Sequence, residues 1–137
     1  MKMNKPGFSL AEILIALFIV AVVGTLGSMG YSAYKKYAQR TTAEAQLKAI
    51  KGAIGLYETD VNDLPETLED LVRAPADEKK AARWASGPYI EKKQLKDPWR
   101  RTYQYKPTPD EEQPYELYSN GPKGKSDKKG RISVWDL

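Results

Sequence analysis

Gly7, Phe8 and Glu12 mark the stretch of this chain whose residue types and spacing could do chemistry. Lys2 and Lys5 stand just before Gly7, and an apolar run opens directly after it. A secretory signal peptide places its small residues and its cut after the apolar region, so the order here points to trimming ahead of the helix, not after it. Glycine suits that position because it asks a peptidase to accommodate no side chain. Glu12 is the single acid in the apolar run. A carboxylate carried into an apolar core is costly unless paired. The alternatives are an uncleaved signal anchor and an acid that stays at headgroup level.

Other chemistry is sparse. The 137 residues contain no cysteine and no histidine, which removes disulfides, thiolate metal sites and the usual proton shuttles. Asp97 lacks an accompanying base, nucleophile or metal partner, so it reads as structural. Tyr103, Tyr105, Tyr115 and Tyr118 read as strand and core residues. The chain is too short for a large catalytic fold beside a membrane segment, and no enzyme is expected. Net charge is +4, and removing Lys2 and Lys5 leaves 20 basic against 18 acidic side chains, or +2. That near-balance leaves no nucleic-acid footprint, although Lys123 to Arg131 is locally basic.

The elements that must position these residues begin with a helix. Ile13 to Tyr34 is 22 residues without a charge, about 33 Å at helical rise and enough for a bilayer core. Basic residues ahead of it favour a cytoplasmic N-terminus, with the part after Tyr34 facing outward. Ala43, Leu47, Ile50, Ile54, Tyr57 and Val61 then recur at alternating steps of four and three, so one long helix from about Phe8 to Tyr57 carries a stripe that needs a domain to lie against. Gly24, Gly27 and Gly30 are close-packing positions or bends in its membrane half. Beyond Asn62-Asp63-Leu64-Pro65, Thr67 and Asp70 read as a capping box opening a short helix, ended by Ala74-Pro75. Ala76 to Gly87 reads as a partly helical loop. Thr102 to Lys106, Tyr115 to Ser119 and Arg131 to Trp135 are strand candidates for a small antiparallel sheet against the stripe, giving an α+β chain.

Gly7, Phe8 and Glu12 resemble the class III leader of type IV pilins and pseudopilins. The resemblance implies cleavage between Gly7 and Phe8 by a prepilin peptidase, N-methylation of Phe8, and retention of the apolar helix for assembly, in which the terminal amine of a neighbouring copy's Phe8 would be the partner of Glu12. Many type IV pilins close a C-terminal loop with a disulfide, which this chain cannot form. Further along, Tyr57 with Asp60, Gly87-Pro88-Tyr89-Ile90, Asp97-Pro98-Trp99 followed by Tyr103-Gln104-Tyr105, Gly121-Pro122 and Trp135 resemble the major pseudopilin family of type II secretion, general secretion pathway protein G. The implied organisation is a cleaved leader at 1–7, a transmembrane and assembly helix at 8–34, and a periplasmic domain at 35–137 on a single-pass inner-membrane anchor. The implied function is a structural subunit of the secretion pseudopilus. Its partners would be copies of itself, minor pseudopilins, the peptidase and an inner-membrane platform protein. The alternative is a type IV pilin for adhesion, motility or DNA uptake.

Two departures matter. Met29 stands where the family commonly has a helix proline, so any bend must come from the glycines. The resemblance also implies calcium held by aspartates in the C-terminal loop, yet a gap-free match from Gly121 to Trp135 puts Lys123, Gly130 and Arg131 at the expected acidic positions. Calcium takes six to eight oxygens and usually several carboxylates, so no cofactor is expected. Either Lys123 or Arg131 supplies a cation in the metal's place, or Lys123, Lys125, Lys128 and Lys129 are solvated and the turns alone hold the loop.

Overall fold

All six residues of the stripe, Ala43, Leu47, Ile50, Ile54, Tyr57 and Val61, are buried, and Ala53 joins them. They lie on α1 (Leu10–Val61). The structure, a computed structural model, describes residues 6–137, so most of the basic leader read at 1–7, with Lys2 and Lys5, lies outside the described residues. The chain divides into two compact units that meet between Tyr37 and Ala38. In the first, every described residue is exposed. An 18-residue window of α1 has a mean hydropathy of 2.5, and by length and composition this helix can cross a membrane.

The second unit, Ala38–Leu137, holds the whole core. α1 ends four residues later than the stripe's Tyr57, at Val61, because Asn62 takes a left-handed conformation with φ of 62°. Asparagine tolerates that region, and its N–H closes on Glu58 O at 2.8 Å. Asp70 caps the 3₁₀ turn Leu68–Leu71 as the Thr67 spacing predicts, accepting from Thr67 N at 3.3 Å and Glu66 N at 3.0 Å. The partly helical loop from Ala76 to Gly87 contains α2 (Glu78–Arg83), whose N-cap Asp77 accepts from Lys79 N at 2.9 Å and Lys80 N at 3.1 Å.

The sheet is antiparallel in the order β1 (Gln104–Pro107), β2 (Tyr115–Ser119), β3 (Ile132–Ser133). Tyr105 faces Leu117, and Ser119 faces Ile132. Two strand expectations change. Thr102 makes only an isolated bridge to Lys96, and β1 begins at Gln104. The third strand stops at Ser133, whose hydroxyl accepts from Trp135 N at 3.3 Å and opens the 3₁₀ turn Val134–Asp136. The Trp135 indole N–H then reaches Tyr115 O at 2.8 Å, so the aromatic covers the sheet end that a longer strand would have covered.

Polar tips tie the layers together. Tyr103 OH donates to Gln46 Oε1 at 2.5 Å, Tyr105 OH to Pro65 O at 2.7 Å, and Tyr89 OH to Asp60 Oδ2 at 2.8 Å. Trp84 sits edge-on to Tyr89 and donates to Asp70 O at 2.7 Å. Each burial removes aromatic surface from water without stranding its polar end.

Those tyrosines make stability sensitive to alkali. Burial first, and then the bond to Asp60, push Tyr89 from 10.0 up to about 12. Burial also raises Tyr57, Tyr103, Tyr105 and Tyr115. Above the unfolded value the unfolded chain has released protons that the folded chain still holds, so stability falls with rising pH. The contribution is complete below pH 10 and is lost as pH climbs through about 12. Melts at pH 8 and pH 11 should therefore separate by several degrees, with the lower midpoint at pH 11; equal midpoints would contradict this linkage.

Candidate functional site

Gly7 and Phe8 precede α1 as exposed, non-helical residues, and Phe8 is 87% exposed. Among the described residues, and apart from its two chain neighbours, nothing lies within 4 Å of where a side chain on Gly7 would begin. Glu12 occupies the first turn of α1, where the helix dipole favours a negative charge. It already has a partner in its own chain: Ser9 N donates to Glu12 Oε2 at 2.7 Å, and Glu12 N donates to Ser9 Oγ at 3.2 Å. This is a capping box, and the Ser9-Leu10-Ala11-Glu12 spacing carried its signature. One carboxylate oxygen is engaged in this way, which leaves the other for a second donor. An open groove lined by Phe8, Glu12, Ile13, Ala16, Leu17 and Val20 flanks the acid. The structure thus gathers Phe8 and Glu12 at one end of an exposed apolar helix.

A second constellation lies at the Asp-Pro-Trp corner. Asp97 is only 4% exposed. Its Oδ1 accepts from Trp99 N at 3.1 Å and Arg101 N at 2.9 Å, and its Oδ2 accepts from Ser119 Oγ at 2.7 Å. Ser119 Oγ accepts in turn from Gly121 N at 3.1 Å. Every one of these partners is a structural donor, so the corner is an anchor for the loop after β2.

That loop differs from expectation in its cation. Arg131 leaves it, placing its guanidinium carbon 3.9 Å from the Tyr118 ring centroid. Lys123 is exposed. Arg101, which sequence reading passed over, donates through Nη1 to Gly121 O at 2.7 Å and to Pro122 O at 3.1 Å. No sequence signal marks it, since 20 residues separate donor and acceptor. The loop is poor in the carboxylates that calcium usually takes. Asp127 is the one carboxylate from Ser119 to Arg131, and its Oδ1 already accepts from Lys129 N at 3.2 Å. Gly121 holds a φ of 75°, and a Cβ there would overlap Gly130 O, so the loop's two ends close directly on each other.

A long helix that is apolar and exposed at one end, and packed on a three-stranded antiparallel sheet at the other, defines the class of pilin-like proteins. Residues 2–28 match the prokaryotic N-terminal methylation motif. Residues 31–135 match the family of type II secretion system (T2SS) protein G. The chain is 32% identical over 139 residues to the type II secretion system core protein G of Pseudomonas aeruginosa, covering 97% of this chain and 96% of that one. It is also 32% identical over 134 residues to the protein of that name in Escherichia coli K12, covering 96% and 91%. The crystal structure of the major pseudopilin from the type 2 secretion system of enterohaemorrhagic Escherichia coli aligns with a TM-score of 0.63 at 26% identity, over 77% of this chain and 94% of that one. The chain belongs to the type II secretion system protein G family. It is a structural subunit of the secretion pseudopilus.

Proposed function

We propose that the protein acts by polymerising: a prepilin peptidase removes residues 1–7 and Phe8 is N-methylated, after which copies stack through the helix at 8–34 into a filament that drives export across the outer membrane. The apolar helix anchors each subunit in the inner membrane with residues 35–137 in the periplasm. Minor pseudopilins and an inner-membrane platform protein are its assembly partners, and it has no catalytic role and no nucleic-acid partner. The observation that supports this reading best is the exposed apolar stretch of α1, which in water would be an aggregation liability and in a filament is an interface. The protein G match over residues 31–135 favours secretion over a type IV pilin role.

Assembly rests on Glu12. The capping box and an ion pair to the next subunit's Phe8 amine use the same carboxylate, and two substitutions separate them. Glutamine keeps the capping geometry but carries no charge, whereas Ser9→Ala removes the Ser9 Oγ half of the box, at about 0.5–2 kcal/mol, and keeps both the charge and the Ser9 N–H bond to it. Glu12→Gln and Glu12→Ala are both expected to insert and be cleaved yet to yield few filaments and little secretion. Ser9→Ala is expected to assemble. Normal filaments from Glu12→Gln, counted by electron microscopy, would remove the pairing role.

A further inference from the structure

We propose that the guanidinium of Arg101 is the built-in cation of the C-terminal loop, so that this pseudopilin closes the loop without a metal ion. The loop's first turn is tied to the Asp97–Arg101 corner from both sides of one residue. The Gly121 N–H reaches Asp97 through Ser119 Oγ, in steps of 3.1 Å and 2.7 Å. The Gly121 carbonyl accepts from Arg101 Nη1 at 2.7 Å, and Pro122 O adds a second acceptor at 3.1 Å. Two adjacent carbonyls meeting a cation is how a metal could order such a turn, and here the cation belongs to the chain.

The corner holds Arg101 in position. Asp97 Oδ1 accepts its N–H at 2.9 Å, and Asp97 N donates to its carbonyl at 2.8 Å. Arg100 adopts a left-handed φ of 65° to make the reversal. Gly124 leaves room for the side chain, because a Cβ at that position would lie 3.2 Å from Arg101 Cζ. A guanidinium stays charged at any relevant pH and presents several donors in a fixed plane, which suits adjacent carbonyls.

Charge opposes a divalent ion in the same place. From Ser119 to Lys129 the loop carries Lys123, Lys125, Lys128 and Lys129 against Asp127, four positive and one negative, or +3. A free calcium ion would have to overcome that field and lose its translational freedom, whereas Arg101 is already tethered. The loop therefore depends on a side chain from the turn before β1, not on the periplasmic calcium level.

Thermal melts of the full-length protein in detergent, followed by tryptophan fluorescence, test this. Trp84, Trp99 and Trp135, the three tryptophans of the chain, all lie in the Ala38–Leu137 unit, so the signal reports that unit and is independent of filament formation or secretion. Wild type is expected to melt at the same temperature in 1–10 mM calcium (roughly the range that saturates weak extracellular sites) and in chelator. Arg101→Met is expected to lower the midpoint by several degrees, and hydrogen exchange should show lost protection from Gly121 to Lys129, with calcium restoring neither. If Arg101→Met fails to fold, the shorter, neutral Arg101→Gln is scored by exchange in the same segment. A calcium-induced rise of several degrees in wild type would show that a metal closes the loop and overturn the proposal. Unchanged melting and unchanged exchange in the Arg101 variant would overturn it equally.

Discussion

Replacing Asp97 by alanine is expected to destabilise the Ala38–Leu137 unit by about 3 kcal/mol or more, a large share of a small domain's stability. The carboxylate is buried and serves three donors, Trp99 N, Arg101 N and Ser119 Oγ. Alanine strands all three in a water-poor site and frees the Ser119 hydroxyl that holds Gly121. For a unit of this size, 1 kcal/mol moves the midpoint by roughly 4–8 °C, so the loss should exceed about 12 °C. Asp97→Asn, which keeps one acceptor oxygen but introduces an amide donor against the same N–H groups, should fall between. A midpoint within about 4 °C of wild type for Asp97→Ala would show that the corner is held by Pro98 and packing instead.

Replacing Gly7 by valine is expected to leave nearly all of the protein unprocessed, with the leader attached and Phe8 unmethylated. The space around Gly7 is open, so valine disturbs nothing in the described chain and the effect falls on recognition by the peptidase. That separates this variant from Asp97→Ala: the melting temperature stays at the wild-type value while maturation stops. Intact-mass measurement of the purified protein decides the matter. A Gly7→Val protein beginning at Phe8 with normal yield would move the cleavage determinant elsewhere in the leader, and a wild-type protein retaining residues 1–7 would remove the processing step altogether.

Much of this molecule is carried by local patterns. The steps of four and three from Ala43 to Val61 specify a helix face whatever lies against it, because 3.6 residues per turn bring those positions into line. The uncharged run from Ile13 to Tyr34 likewise needs no tertiary information, since spanning a membrane depends on length and hydropathy. Thr67 with Asp70 announces a cap three residues apart, and Ser9 with Glu12 announces another by the same spacing. The second is equally legible, because the two residues stand three apart at the head of the helix.

Contacts between distant segments were not legible. β3 shrank to Ile132–Ser133 because Trp135 satisfies Tyr115 O with its indole, an outcome that depends on where β2 lies. Arg131 turned to the Tyr118 ring, and Arg101 took the loop carbonyls, although both arginines are alike in sequence terms. What the sequence alone determined is an apolar helix long enough to cross a membrane, the amphipathic stripe, the acid at the helix's head and the scarcity of carboxylates in the C-terminal loop, all properties of composition and short-range spacing. Which side chain meets the carbonyls of the C-terminal loop was decided only by the tertiary structure, because a guanidinium finds a carbonyl 20 residues away only after the sheet has brought the Asp97 corner and the Gly121 turn together.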